Sequence, residues 1–316
     1  MSQIEDAISA LLPVKNGQQY LETLLPNILA MLKEHDELIV INDGSFDQSR
    51  FITEKYRSID SRVILINTSG IGLVAALNLG ISTAKNNWVA RFDVDDKYMQ
   101  NRIDEQRKYL SENVSVIFSD YCFISQTEKR LGSIFSAVLP IPTALSLVSG
   151  QRTPHPAAVV NRRLLIESGG YQIQDFPAED LALWLRMSHF GEIISVPLPL
   201  LHYTLSNNSI SAQNREVQKN KKRELIQGYP SWSSLQVRSI TDFEQTLVSY
   251  KEVSHTPERI LLHLRDIYLV AGLIGGKMPF LDLVTKVGFS MSCKIIYAAV
   301  KMLFVVFRRR VYRFIY

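Results

Sequence analysis

Cysteine is scarce in this chain. Its 316 residues hold two, Cys122 and Cys293, far apart and in unrelated surroundings. That excludes a disulfide framework and a thiolate metal site, and it fits a reducing compartment. Glycine-rich phosphate cradles are missing too. No G-x-G-x-x-G comes after the first apolar run, and no G-x-x-x-x-G-K-[ST] occurs anywhere. The usual warrants for a dehydrogenase or a P-loop NTPase are therefore absent. Met1 to Asp6 show no basic stretch ahead of an apolar one, so no signal peptide is expected. At the other end acid is lacking. From Leu283 to Tyr316 there are seven basic residues and no Asp or Glu, which puts +7 on that stretch and −3 on the rest of a chain whose net charge is +4.

With 46% hydrophobic and 21% charged residues, the chain can bury an ordinary core. Its length suits one large domain, or one domain with an appendage. The first half alternates strand and helix. Ala7 to Pro13 is a short apolar run that reads as a buried strand. Tyr20, Leu24, Leu25, Ile28, Met31 and Leu32 recur at helical spacing and predict a helix over 18–33. Strands are expected at Leu38–Ile41 and Val63–Ile66. The first of these ends in the turn cluster Asn42-Asp43-Gly44-Ser45, with Ser45 or Asp47 as candidate caps for the next helix. A helix from Leu73 to Ala84 then leads to a strand over 87–92. Such alternation predicts a parallel sheet.

The chain is organised around the end of that strand and the acidic turn after it, Phe92-Asp93-Val94-Asp95-Asp96. A strand that ends in Asp-x-Asp sets carboxylates at the carboxyl edge of a sheet, where open α/β sheets bind ligands. Carboxylates one residue apart can share a divalent cation held mostly by a ligand's phosphates. Solvated loop acids are the alternative. A charged, helix-like segment comes next over 101–110, and 115–126 and 129–139 read as strands around Thr127-Glu128. Farther on come His155-Pro156, Gly169-Gly170-Tyr171 and Glu179-Asp180. His155 between two prolines fits either a ligand contact or a structural loop residue. Leu181, Trp184, Leu185 and Ser188 share a helical face, so Glu179 and Asp180 open that helix. The helix dipole stabilises acids there by roughly 0.3–1 kcal/mol, and simple capping is the alternative use for them.

In this order, Pro13-x-x-Asn16, Asn42-Asp43-Gly44-Ser45, Gly72-Leu73-x-x-Ala76-Leu77-Asn78, Asp93-x-Asp95-Asp96, His155-Pro156, Gly169-Gly170-Tyr171 and Glu179-Asp180-x-x-x-Trp184-x-x-Arg186 resemble the family 2 glycosyltransferases. The resemblance covers about residues 6–205. It implies a GT-A fold with a mixed, mainly parallel central sheet, a nucleotide-diphosphate sugar donor, Mg²⁺ or Mn²⁺, and inversion at the anomeric carbon. It also implies roles for residues. Pro13, Val14 and Asp43 would take the nucleotide base, and Asp93 the ribose side. Asn16, Gly72, Asn78, Arg91, Val94 and His155 would complete the nucleotide-sugar site. Asp95, with Asp93, would hold the metal. Asp180 would be the general base, with Glu179 beside it. The chain departs from the family at Thr204 and Ser206, where many relatives carry an Arg and a His.

The expected boundary divides a catalytic domain, 1–211, from a helical extension, 212–316. Residues 257–275 and 280–307 are apolar enough for helices. Gly288 to Phe307 has the length of a bilayer span, but Lys294 and Lys301 interrupt it on one face. A basic face, an apolar face and Arg308-Arg309-Arg310 fit a helix lying in a membrane interface. A helix packed on the domain and a true span are the alternatives. The expectation is a peripheral enzyme on the cytoplasmic membrane face that elongates a lipid-linked saccharide of a bacterial surface polymer and has no nucleic acid partner. Two rival readings are a sugar nucleotidyltransferase and a degenerate transferase serving as a binding subunit. The first would show a glycine-rich basic loop after the first strand, which Leu12-Pro13-Val14-Lys15-Asn16-Gly17 lacks.

Overall fold

The computed structural model describes residues 6–134, 153–206 and 209–228, which form one compact unit. The expected helices over 257–275 and 280–307 lie outside the described residues. Among the described residues no helix is long and apolar enough to cross a membrane.

Strands β1 (Ile8–Val14), β2 (Glu37–Asp43), β3 (Val63–Thr68) and β4 (Trp88–Arg91) pair in parallel, in the order β3-β2-β1-β4. Helices α1 (Gln18–Met31), α2 (Ser49–Ile59) and α3 (Leu73–Thr83) join them. The chain thus builds outward from β1 through β3 and then returns to the other side of β1. That reversal leaves a crevice at the carboxyl ends of β1 and β4, the usual ligand position in such sheets.

Alternation along β1 explains its place at the centre. Ile8, Ala10, Leu12 and Val14 pack with Leu21, Leu25 and Ile28 of α1 in the main core. Leu11 points the other way, toward α3, where a Cβ on Gly80 would lie 2.1 Å from the Leu11 Cδ1. Glycine there lets helix and strand approach closely.

The second half makes the sheet mixed, as the resemblance implies. The sheet continues β4-β8-β6-β9-β5, with β7 (Arg130–Ile134) beside β6. Here β5 is Lys97–Tyr98, β6 Val114–Ser125, β8 Val159–Asn161 and β9 Glu192–Leu205. Strand β8 runs antiparallel to both β4 and β6, while β6 and β9 are parallel. The β6–β9 register slips near Asp120, where Ser119 faces Val196 but Asp120 faces Pro199. Prolines in strands belong at such irregularities, because they cannot donate to the ladder.

Short helices complete the unit: α4 (Arg102–Arg107), α5 (Arg162–Glu167), α6 (Glu179–Met187), α7 (Ile210–Gln213) and α8 (Arg215–Gly228). The sequence places α8 in the extension; in the structure it belongs to the compact unit.

The two loops beside the crevice are zipped together. Asn16 N donates to Ser45 Oγ at 2.9 Å, and Phe46 N donates to Asn16 Oδ1 at 3.0 Å. Gly17 N donates to Ser49 Oγ, Gln18 N to Asp47 Oδ2, and Gln48 N to Gln18 Oε1. Ser45 is therefore a link between loops and not the cap expected for α2; Asp47 accepts from Ser49 N at 2.9 Å in that helix's first turn. Gly44 makes the turn possible, with φ of +66° and a notional Cβ 2.7 Å from Gly70 N. Gly44→Ala should lower stability by about 1–3 kcal/mol. A urea melt reads this as a lower midpoint at unchanged slope.

Candidate active site

The acidic turn leaves β4 over a buried aromatic and cationic base. Phe92 is fully buried and meets Tyr98 edge-on, with ring centroids 4.7 Å apart. Tyr98 Oη accepts from Asp93 N at 2.6 Å and donates to Asp93 O at 3.1 Å. Burial pushes that hydroxyl well above its usual range, so it stays protonated. The Arg102 guanidinium lies over both rings, 4.3 Å from Phe92 and 4.8 Å from Tyr98. It donates to Arg91 O at 2.9 Å. Backbone and side chain of the turn are thus fixed from below. From the side, Val94 packs on the first loop, where a Cβ on Gly17 would sit 2.7 Å from Val94 Cγ2.

The turn carries more negative charge than its surroundings offset. Asp93 Oδ1 pairs with Arg91 Nη2 at 2.6 Å. Asp95 is half-buried, and burial, with the charge of Asp93, pushes its carboxyl up to about 6. Asp96 is buried and accepts from Thr204 N at 2.7 Å. Burial and its two acidic neighbours raise it well above the usual range. A divalent cation at Asp95 and Asp93 would relieve this excess, and these residues fit one. Among the described residues no group of three His, Cys, Asp or Glu side chains gathers into a protein-only cage.

The facing side is built from His155, just before β8, onward to α6. His155 Nε2 lies 2.5 Å from Tyr171 Oη, and its ring packs edge-on against Trp184 at 5.9 Å. Burial, then the charge of Arg91, holds His155 well below its usual range and keeps it neutral. Asn78 clamps the Tyr171 backbone with both ends of its amide: Nδ2 donates to Tyr171 O at 2.8 Å, and Tyr171 N donates to Oδ1 at 3.0 Å. Arg186 ties Asp175 and Gly170 O onto α6. Helix α6 then opens with Glu179 and Asp180. Glu179 is buried, and its Oε2 has no partner among the described residues. Burial, then Asp180, pushes it up to about 7. Asp180 is half-buried and accepts from Leu181 N at 2.7 Å. Burial raises its carboxyl while Lys222 opposes the shift.

The two sides meet. Arg91 acts electrostatically on Asp95, Asp96, His155, Tyr171 and Glu179. Asp93 is felt at Glu179 and Asp180. Asp95, His155, Glu179 and Asp180 therefore each lie within electrostatic reach of Arg91 or Asp93.

Other expected ligand contacts have scaffold roles here. Asn16 latches two loops and Asn78 clamps Tyr171, with their amide groups engaged. Asp43 accepts from Thr68 Oγ1 at 2.5 Å, Ile71 N at 2.6 Å and Gly72 N at 2.9 Å. Burial pushes its carboxyl up, but those donors and Lys15 outweigh it and hold the group below the usual range. Three of its four lone-pair positions are thus occupied. Gly72, at φ +88°, precedes α3 with open space around it. Val14 is buried in the core and Pro13 is half-buried at the end of β1, so Val14 can offer a ligand only its backbone.

Sequence reasoning missed Tyr98, Arg102, Tyr203 and Lys222. Tyr203, beside Thr204, responds to the charges of Asp93, Asp96 and Asp95, and burial raises its hydroxyl first of all. Only its place in the stretch around Thr204 hinted at a role.

This arrangement of sheet edge and opposed carboxylates defines a GT-A-like glycosyltransferase. The family model for glycosyl transferase family 2 matches residues 9–174, more than half of the chain, and the chain belongs to that family. A putative teichuronic acid biosynthesis glycosyltransferase of Bacillus subtilis, TuaG, is 25% identical over 67% of this chain and 84% of its own. The structure of S. aureus TarS 1-349 with UDP-GlcNAc superposes with a TM-score of 0.57 at 18% identity, over 86% of this chain and 93% of that one. The mannosyltransferase PcManGT from Pyrobaculum calidifontis, with GDP-Man and Mn²⁺, gives 0.50 at 15% identity, over 94% and 86%.

The raised Glu179 carboxyl has a measurable consequence. The folded protein keeps a proton there that the unfolded chain releases between pH 4.5 and about 7. Stability contributed by this group therefore falls as pH rises through that window. Glu179→Gln should gain on wild type by up to about 3 kcal/mol between about pH 4 and about pH 8, read from denaturant melts at each pH.

Proposed function

We propose that this protein is a metal-assisted, inverting glycosyltransferase that moves a sugar from a UDP-sugar to a lipid-linked saccharide during assembly of a bacterial surface polysaccharide. The observation that carries this reading is the pair of carboxylate sets, Asp93 with Asp95 and Glu179 with Asp180, brought from different elements to one site. Single displacement needs one group that stabilises the departing diphosphate and a base on the opposite face.

The donor's diphosphate belongs beside Asp95 and Asp93, which would hold Mg²⁺ or Mn²⁺; the ion supplies charge stabilisation to the leaving phosphate oxygen. The nucleoside lies along the ends of β1 and β2, where Pro13, the Val14 backbone and Asp43 meet its base. Asp180 takes the proton of the acceptor hydroxyl as that oxygen attacks the anomeric carbon. A positioned carboxylate contributes on the order of 10²–10⁴-fold in such a step. Glu179, raised to about 7 and so about half protonated at neutral pH, can in its protonated form donate a hydrogen bond to the donor sugar or to the acceptor.

Support for a UDP-sugar comes from TarS, whose solved complex contains UDP-GlcNAc, and support for a surface polymer from the name of TuaG. The basic, acid-free stretch from Leu283 supports a cytoplasmic membrane surface as the working location. Anionic lipid attracts such a segment by about 1 kcal/mol per basic residue near the surface.

A panel of UDP- and GDP-sugars with Mg²⁺, Mn²⁺ or EDTA tests the assignment. One donor should be consumed only with metal, and Asp180→Asn should bind it yet lose about 10²–10⁴-fold in turnover. Binding of no donor under any condition would point instead to a transferase-like binding subunit. In sedimentation with vesicles, the full chain should pellet with phosphatidylglycerol-containing membranes and stay in solution with neutral ones. Loss of that difference would remove the membrane assignment.

A further inference from the structure

Helix α8 turns one face toward α6. Gln218 and Lys222 stand four residues apart, so they share that face. Gln218 Nε2 donates to Pro177 O at 2.8 Å, which seats the helix on the segment leading into Glu179 and Asp180. One turn later comes Lys222, half-buried, whose positive charge favours the ionised form of Asp180. Neighbouring lysines on the helix are engaged elsewhere: Lys219 lies 3.9 Å from Glu216, and Lys221 lies 3.0 Å from Glu224.

The other influences on Asp180 can be named. The Leu181 amide donates to it from its own helix, Asp93 repels it from the acidic turn, and Glu179 adjoins it. Burial adds to the repulsion. Lys222 thus works against burial and Asp93.

We propose that Lys222 is a positioning residue for the acceptor step: its positive charge favours the carboxylate form of Asp180, and α8 delivers it by docking through Gln218. This rests on the reading of Asp180 as the base. It assigns a role in the chemistry to a helix beyond the residues that the family model matches. A base needs its proton-free form before it can act, so the cation matters most at the acid end of the working range.

The test is the pH dependence of UDP release from the donor identified by the panel, using the full chain. Lys222→Gln should move the acid limb of kcat/KM to higher pH, while activity at alkaline pH recovers toward wild type. Lys222→Arg should restore the wild-type limb. Gln218→Ala, which loosens the helix without removing a charge, should shift the limb in the same direction. The ¹³C signal of the Asp180 carboxyl, assigned by its loss in Asp180→Asn, should titrate at higher pH in Lys222→Gln, and it needs no substrate. An acid limb and a carboxyl signal that stay in place in Lys222→Gln would overturn the proposal. If Asp180→Asn is inactive while the limb stays in place, the base assignment survives and only the role of Lys222 falls. An active Asp180→Asn would remove the base assignment itself.

Discussion

The site depends on a buried guanidinium. Arg102 is fully removed from solvent, stacked on Phe92 and Tyr98, and it donates to the backbone that carries the acidic turn. Burial pulls it down to about 10, so it remains charged at neutral pH. A buried cation is costly unless something nearby offsets it. Here the offset is spread over two π faces, two backbone carbonyls, the Gln106 amide oxygen and the negative field of the turn. The arrangement works in both directions. The carboxylates make the buried cation tolerable, and the cation lets several carboxylates share one turn before any ligand arrives.

Charge on the opposite side is handled differently. His155 is kept neutral and Glu179 tends to protonation near neutral pH, while Asp180 has a cation near it. Environment thus separates two adjacent carboxyls: burial and Asp180 raise Glu179 to about 7, while the charge of Lys222 opposes the rise at Asp180.

Distance along the chain decides how much of this was legible in the sequence. The β1 to β4 half was readable because each apolar run and each amphipathic helix carries its own signal, and Asp93 and Asp95 stand where a strand ends. The antiparallel β8 was not, since three residues give no period. Strand β9 was hidden by Pro197 and Pro199, which the slipped register near Asp120 accommodates. Motif positions did not tell how their residues are held. Asn16 and Asn78 look like ligand contacts in sequence, yet their partners lie 30 and 93 residues away in the chain. Arg102 and Lys222 had no signal, because a buried cation and a solvated one look alike in a sequence.

The five cross-links between the first two loops have a practical meaning for redesign. Asn16, Gly17 and Gln18 are bonded residue by residue to the segment from Ser45 to Ser49. The edge of β1 and the edge of β2 therefore behave as one module with two chain segments. Transplanting this edge into another scaffold requires moving both segments as a set, because either one alone would arrive with its donors and acceptors facing strangers. Library randomisation of these loops should likewise leave the latches intact and vary the positions between them.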